Sequence, residues 1–175
     1  MILRGWISLT GVVLVLSTTV HVSTFFNFDP QHRIPGLMFL HGVVLVLFFV
    51  AMFYIDGRKG DDVIGDLFNA APRWLRRLFK ILFVYAFINF FAFMYLGEMS
   101  KARDEGNGSY ALKKSEILIR KLTREEFHRW HAYEARFFSG HWMIFSCAEL
   151  VLMVGRDRRR SQPTVVEATV ANEST

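Results

Sequence analysis

The chain has 175 residues and a formal net charge of +5, and 52% of its residues are apolar, including 18 phenylalanines. This apolar content exceeds what the core of one soluble domain of that length needs. The basic residues flank apolar stretches and are not gathered on one face with interleaved aromatic residues, which argues against a nucleic-acid-binding domain. The single cysteine, Cys147, excludes an internal disulfide.

Three stretches contain no Asp, Glu, Lys or Arg, namely residues 5–28, 34–55 and 81–97. Each approaches the roughly 20 residues that a helix rising about 1.5 Å per residue needs to cross about 30 Å of hydrocarbon. The first stretch follows Arg4 as a signal peptide would. It is longer than a typical signal segment and lacks a small-x-small cleavage site, so we expect an uncleaved anchor.

A fourth apolar stretch, residues 137–155, carries one charged residue, Glu149. A buried helix of a soluble domain can have this composition, but the other three stretches leave no soluble core for it to join. The sequence therefore predicts an all-α membrane protein with four transmembrane helices, at about residues 5–27, 34–55, 75–97 and 137–155.

The distribution of Lys and Arg predicts the orientation, because these residues stay on the cytoplasmic side when they lie in short flanks of a span. The side shared by the N-terminus, the second loop and the C-terminus carries eleven of them, and the opposite side carries ten. Because these counts are nearly equal, the orientation is inferred from the basic residues closest to the membrane. The groups at 76–80 and 156–160 lie directly at the ends of predicted spans. We expect both termini in the cytoplasm.

The second loop, residues 56–74, has apolar residues at helical spacing from Val63 to Phe68. This pattern predicts a short helix that lies on the membrane surface. Asp61 and Asp62 suit the beginning of that helix, and Pro72 suits the beginning of the third span.

The third loop, residues 98–136, is the only sizeable extramembrane unit and is predicted to be extracytoplasmic. Residues 110–112 and 117–122 predict a short hairpin, and residues 123–126 (TREE) predict a capping box. The capped helix is expected to run into the fourth span, where Ser139 and Gly140 offer a place for a bend. Residues 156–175 predict a disordered cytoplasmic tail.

All six histidines fall on the predicted outer side or in the outer leaflet. Three of them, on three different helices, lie roughly 6 to 10 Å below the outer interface at about 1.5 Å per residue. Neutral imidazole ligates haem iron and divalent metals, so these three are candidate ligands for one haem b or a metal ion. They are His21, His41 and His141.

The remaining histidines suggest a metal site at the surface. His128 and His131, spaced i and i+3 on the capped helix, are the candidate ligands, and His32 in the first loop could extend the site. The alternative for all six is that the imidazoles hydrogen-bond neighbouring hydroxyl groups or carbonyls. We favour this alternative, because no HExxH or CxxC pattern accompanies them.

Glu149 is predicted to lie near the middle of the membrane, where an ionised group costs several kcal/mol. It should therefore be protonated, paired or next to water, and it is a candidate proton or cation site. The alternative is a neutral Glu that hydrogen-bonds between helices. Partners are available in two polar stripes, formed by Ser17, Thr18, His21 and Thr24 on the first span and by Tyr85 and Asn89 on the third.

Four segments carry a resemblance, namely residues 21–26 (HVSTFF), 39–42 (FLHG), 122–126 (LTREE) and 138–145 (FSGHWMIF). Together they resemble a group of small four-helix bacterial inner-membrane proteins with no known activity, which implies a bacterial cytoplasmic membrane. The chain is also similar in size, helix number and histidine content to bacterial cytochrome b561. That family places histidine pairs toward both membrane faces, whereas no histidine here lies in the predicted inner leaflet.

Three functions remain open. Because the sequence has no phosphate-binding glycine loop and no Ser or Cys nucleophile with a matched base, we expect a non-enzymatic accessory or interaction protein. Its expected partners are the lipid bilayer and another membrane protein or a second copy of the chain. The first alternative is a redox or metal-binding protein that holds haem b or a divalent metal. The second is a small proton-coupled transporter that uses Glu149.

Overall fold

This computed structural model describes residues 2–26, 28–56, 63–97 and 100–161 of the chain. Within these residues the helices and strands follow one another in a simple order. They are α1 (Ile2–Ser23) with a 3-10 turn at its end (Thr24–Phe26), α2 (Pro30–Arg33), α3 (Leu37–Asp56), α4 (Val63–Ala70), α5 (Arg73–Gly97), β1 (Lys101–Gly106), β2 (Ser109–Lys114), β3 (Ile117–Leu122) and α6 (Arg124–Ser161).

Four of these helices, α1, α3, α5 and α6, are long and apolar enough to cross a membrane. This confirms the four predicted apolar helices and fits a multi-pass membrane protein. Helix α3 begins three residues after the predicted start, because Ile34 precedes a proline and is extended. We call the end of the fold where α5 finishes and β1 follows the sheet side, and the opposite end the arginine side.

Helix α6 is the axis of the fold. Its 38 residues extend about 57 Å at about 1.5 Å per residue, and α1, α3, α4 and α5 all pack against it. More than half of its apolar segment is buried, 56%, against 6% for α5. Helix α6 is therefore the inner helix, and α5 exposes most of its apolar side chains as a lipid-facing span does.

Helix α6 is longer than the fourth predicted span at both ends. It is continuous through Ser139 and Gly140, and it extends to Ser161, so residues 156–161 of the predicted tail are helical. Three arginines at its last turn favour this extension, since positive charge stabilises a helix C-terminus. Residues 162–175, the rest of the predicted tail, lie outside the described residues.

The extramembrane unit corrects the all-α prediction, because it contains a three-stranded antiparallel sheet in the order β1-β2-β3. Strands β2 and β3 form the predicted hairpin. The sequence carries no signal for β1, since its residues (KARDEG) are nearly all polar and only Ala102 is buried. Strand β1 is stabilised by its antiparallel pairing with β2. Ala102, Leu112 and Leu122 pack with Phe127 and attach the sheet to α6.

The predicted capping box opens α6. The Thr123 N–H donates to Glu126 Oε2 at 2.8 Å, and the Glu126 N–H donates to Thr123 Oγ1 at 3.2 Å. Arg120 of β3 adds an ion pair to Glu126 at 2.8 Å. These bonds satisfy backbone donors that a helix N-terminus leaves free, and they fix the turn between the sheet and α6.

The predicted surface helix is α4, which packs against the arginine-side end of α6. Leu67 is buried there, and Gly155 permits the contact, because a Cβ at Gly155 would lie 2.0 Å from the Leu67 carbonyl oxygen. Asp61 and Asp62, predicted to begin this helix, lie outside the described residues. Helix α5 begins directly after Pro72, as predicted.

Candidate functional site

Buried polar side chains line the contact between α1 and α6, and we call this row the polar seam. The two helices are antiparallel, and three hydrogen-bonded pairs keep one register along them. The α1 residues of the seam recur at intervals of three, four or seven, so they lie on one helix face. The pairs are Thr10 with Glu149, His21 with Ser139 and Thr24 with Arg136, and Ser17 lies on the same face of α1.

Glu149 forms the arginine-side end of the seam and is 1% exposed. Its Oε1 accepts hydrogen bonds from the indole N–H of Trp6 and from the Thr10 hydroxyl, the latter at 2.8 Å. Among the described residues no cation forms an ion pair with this carboxyl group. Glu149 thus accepts hydrogen bonds from two residues of α1 across the contact between α1 and α6.

A small apolar cavity of about 100 Å³ adjoins Trp6 between α1, α3 and α6. Apart from the indole of Trp6 and the ring of Tyr54, its lining is aliphatic or thioether carbon. It therefore offers few hydrogen-bonding groups, and Glu149 is not among its lining residues. Its lining residues are Leu3, Trp6, Val50, Ala51, Tyr54 and Met153.

His21 lies in the sheet-side half of the seam and is bonded at both ring nitrogens. The Ser139 hydroxyl donates to the Ala135 carbonyl at 2.6 Å, so its oxygen accepts from His21 Nδ1 at 2.9 Å. Nε2 then carries the lone pair and accepts from the Tyr85 hydroxyl at 2.5 Å. This ring connects α1, α5 and α6.

The contact of α5 with α6 depends on a small residue next to His21. The Asn89 side-chain amide donates to the Arg136 carbonyl at 3.2 Å. A Cβ at Gly140 would lie 2.8 Å from the Asn89 nitrogen, so only glycine fits at that position without displacing the amide.

Arg136 forms the sheet-side end of the seam. Its guanidinium donates from Nε to the Thr24 hydroxyl at 3.1 Å and from a terminal nitrogen to the Thr24 carbonyl at 2.9 Å. The same group lies 4.0 Å from the centre of the Phe25 ring, a cation–π contact. Arg136 thereby ties the end of α1 to α6.

Two hydroxyl groups of the buried helix faces lack partners. Ser17 on α1 and Ser146 on α6 are 0% and 1% exposed, and neither side-chain oxygen has a hydrogen-bond partner among the described residues. Both lie between the Glu149 and His21 ends of the seam in sequence. Each hydroxyl can donate and accept, so the seam contains unused hydrogen-bonding capacity in its middle.

The structure does not bring together the three histidines proposed for haem or metal. His41 Nδ1 accepts from the Trp142 indole N–H at 2.8 Å, whereas His141 Nδ1 donates to the Phe137 carbonyl at 2.8 Å. With His21 bonded to Tyr85 and Ser139, each ring has different partners, and within the described residues none of the three rings contacts another.

The other three histidines do gather, around a residue that the sequence did not single out. Asp29 Oδ1 accepts the backbone N–H of His32 at 3.1 Å and caps α2, and its Oδ2 bonds His128 Nδ1 at 3.0 Å. The rings of His32 and His128 meet edge to face at 5.3 Å. An Asp before a Pro is the sequence signal for this cap.

His131 lies behind this pair on α6, against Phe127 with the ring centres 4.4 Å apart. Burial lowers the pKa of its imidazole, and the nearby His128 and His32 lower it further while Asp29 raises it. One turn along, burial raises the pKa of Glu134 to about 7. The cluster thus contains two groups whose pKa shifts favour their neutral forms, His131 and Glu134, and the carboxylate of Asp29, which caps α2.

The described residues contain no group of three or more His, Cys, Asp or Glu side chains arranged to hold a metal ion. The arrangement instead suits hydrogen bonding between helices, in the seam and between Asp29 and His128. Comparison with protein-family models, curated proteins and solved structures finds no match to this chain.

Proposed function

We propose that this chain is a multi-pass protein of a bacterial inner membrane that acts as a non-enzymatic binding partner of another membrane protein. One observation carries the proposal. The buried charged and aromatic polar groups at the contact of α1 with α6 are hydrogen-bonded within the fold, as Glu149, His21 and Arg136 illustrate. The surface available for a second protein's polar groups is therefore the extramembrane unit.

The extramembrane unit offers a basic and aromatic surface along the first turns of α6. One hollow of about 450 Å³ is lined by arginines together with Trp130 and Tyr133, and a neighbouring hollow of about 510 Å³ contains the Asp29 and His128 pair. Exposed Arg129 lines both hollows. Arg, Trp and Tyr are enriched at protein interfaces, and the excess of Arg favours a partner with acidic groups.

The sheet and the transmembrane axis form one continuous structure, which suits a protein that couples binding to its membrane part. The sheet packs on Phe127, and the same helix continues through Glu149 to Ser161 without interruption. A partner that binds beside Arg129 therefore contacts the helix that all other spans pack against.

Site-directed photocrosslinking in intact cells tests this proposal. A photoreactive amino acid replaces Arg129, and a matched control replaces Arg158, which is exposed on the same helix at the arginine side. We expect one discrete adduct with a different membrane protein from position 129 and none of that size from position 158. Coexpression of an unlabelled competitor should reduce the adduct, and an Arg129→Glu competitor should not.

Two outcomes contradict the proposal. One is an adduct that contains only two copies of this chain. The other is the absence of any protein adduct from position 129 while the labelled protein is folded and inserted. Either result would leave the extramembrane unit without a different membrane protein as its partner.

We further propose that both termini lie in the cytoplasm. The support is the concentration of arginines at the arginine-side end, where Arg158, Arg159 and Arg160 close α6 and Arg73 opens α5. Protease protection of a C-terminal tag in intact spheroplasts tests the orientation. Cleavage of that tag from outside would reverse it.

A second candidate function, proton transfer through the membrane, is favoured by the composition of the seam. Glu149 has no cationic partner among the described residues, and Ser17 and Ser146 provide free hydroxyl groups between it and His21. About 15 Å of α6 separate Glu149 from Ser139, the partner of His21, at about 1.5 Å per residue, so transfer requires intervening water or hydroxyl groups. Proton flux into liposomes that contain wild-type protein, lost in Ser17→Ala and Ser146→Ala, would support this candidate.

A further inference from the structure

The beginning of β3 carries an exposed apolar group that the fold itself leaves uncovered. Ile117, Leu118 and Ile119 are 72%, 52% and 44% exposed, and we call these three residues the apolar tip. The other end of the same strand is covered, because Leu122 packs with Phe127. β3 is an edge strand, so no further strand lies beside the tip within the described sheet.

The register of the sheet places the apolar tip at the end nearest the membrane. Leu118 pairs with Lys113, and Lys113 pairs with Lys101, the first residue of β1. Only three residues separate Lys101 from the end of α5 at Gly97. The apolar tip and the C-terminal end of α5 therefore lie at the same end of the sheet.

The position of β1 beside α6 agrees with this. Burial raises the pKa of Glu134, and the charges of Lys101 and Arg103 on β1 lower it in part, so this end of β1 lies near Glu134. At the other end of the sheet, Tyr110 stacks on Phe127 with the ring centres 4.5 Å apart. The sheet thus follows α6 with its tip end beside Glu134, which is about 4.5 Å along the helix from the start of the apolar segment at 137.

Helix α5 relates this level to the end of its own apolar segment. The Tyr133 hydroxyl donates to the Ala92 carbonyl at 2.9 Å, and α5 continues five residues beyond that point to Gly97. Tyr95 in this last turn is 84% exposed, as an interfacial aromatic residue is. The apolar end of α5 therefore reaches at least as far from the bilayer centre as the tip.

Basic residues surround the apolar tip. Lys101 and Lys114 form no ion pair within the described part of the chain, while Arg103 lies 3.7 Å from Glu116. Lys114 pairs directly with Ile117 across the hairpin. Apolar side chains flanked by lysines are the pattern of a segment that lies in the headgroup region of an anionic membrane.

The turn that carries the tip is tight. Ser115 and Glu116 both have a positive φ, of 48° and 69°, which is the conformation of a two-residue hairpin turn. Such a turn holds the tip in one direction relative to the sheet.

We propose that the apolar tip inserts into the leaflet on the sheet side of the same bilayer that the four helices cross. Ile117, Leu118 and Ile119 contact the boundary between headgroups and acyl chains, and Lys101 and Lys114 bind anionic lipid headgroups. The sheet is then anchored twice, by α6 and by the lipid surface. This inference rests on the spans and holds for either orientation of the termini.

Spin labels measure the depth of the tip directly. Leu118→Cys and, in a second variant, Ile117→Cys are labelled in nanodiscs of phosphatidylglycerol and phosphatidylethanolamine, with Ser109→Cys on the opposite turn as the matched control. Native Cys147 is 0% exposed, so unlabelled wild type reports any background reaction. Accessibility to oxygen and to a water-soluble nickel chelate is then compared.

We expect labels at 117 and 118 to be several-fold less accessible to nickel and more accessible to oxygen than the label at 109. In nanodiscs of neutral lipid, or in a Lys101→Glu, Lys114→Glu background, this difference should shrink. Equal accessibility at 118 and 109 overturns the proposal. Protection of 118 from both reagents also overturns it, because it indicates that a protein, such as a second copy, covers the tip.

Discussion

The indole of Trp6 and the carboxyl group of Glu149 are hydrogen-bonded although 143 residues separate them in the chain. The bond joins the first helix to the last, and Thr10 donates to the same carboxyl oxygen. The most conspicuous charged residue of the spans thus serves as a shared acceptor between helices. Its contribution can be separated from a role in proton transfer by two substitutions.

The Glu149 pair of variants should distinguish hydrogen bonding from ionisation. Glu149→Gln keeps an acceptor oxygen for Trp6 and Thr10, so we expect a change in unfolding free energy below about 1 kcal/mol. Glu149→Leu removes the acceptor and leaves both donors buried, which should cost about 1 to 3 kcal/mol. Thermal unfolding in detergent measures both. Equal destabilisation by the two variants would show that the charge itself matters and would favour the proton-site candidate.

An absorption spectrum should separate the haem alternative from the proposed function. We expect no Soret band, because the lone pair of His21 Nε2 is bonded to Tyr85 and that of His41 Nδ1 to Trp142. Iron ligation by either atom would require these bonds to break. A Soret band that His21→Ala abolishes and His32→Ala preserves would establish haem binding and refute this expectation. Elemental analysis of the same sample covers other metals.

Three glycines should respond differently to substitution by alanine. Gly155→Ala places a Cβ against the Leu67 backbone, and Gly140→Ala places one against the Asn89 side chain. Overpacking costs about 1 to 3 kcal/mol, and we expect the larger loss at Gly155, because backbone yields less than an amide side chain. Gly11→Ala is the control, since no atom lies within 4 Å of its added Cβ. Helix propensity favours alanine over glycine, so Gly11→Ala should be neutral or stabilising. A destabilising Gly11→Ala would show that crowding at the added Cβ does not explain the losses at Gly155 and Gly140.

Stability should rise as the pH falls from 8 to about 6.5. Burial raises the pKa of Glu134 from 4.5 to about 7, Lys101 and Arg103 lower it in part, and Asp29 raises it. A carboxyl group whose pKa is raised by folding binds its proton more tightly in the folded state, so acidification through that pKa favours folding. The slope is at most about 1.4 kcal/mol per pH unit for one proton.

The pKa shift of His131 has the opposite effect on stability. It sets the lower limit of the pH range in which acidification stabilises the fold. Burial lowers the pKa of His131 from 6.5, so protonation of the unfolded state destabilises the fold increasingly as the pH falls through that value. Melting temperatures between pH 8 and 5 measure both effects. Glu134→Gln should flatten the curve above pH 6.5, and a slope that persists in this variant would assign the dependence to another group.

The parts that sequence reasoning predicted are those set by local chemistry. The membrane-crossing helices are predicted from the lengths of the charge-free stretches. A helix in hydrocarbon must form all its backbone hydrogen bonds internally, whatever its neighbours are. The capping box at Thr123 and Glu126 is predicted because both bonds join residues three apart. The β2–β3 hairpin is predicted from the apolar residues at 110–112 and 117–122, whereas β1 depends on a partner strand.

The partners of the candidate site residues could not be predicted in this way. His21 and Glu149 stand out in the sequence, but nothing local indicates that Tyr85, Ser139 and Trp6 bond them. Nor does the sequence show that Asp29 meets His128 across 99 residues. The sequence by itself determined where this chain can cross a membrane, since apolar length is a property of one segment. Only the tertiary structure decided which polar groups meet, because each such bond depends on how two distant helices pack and at what register.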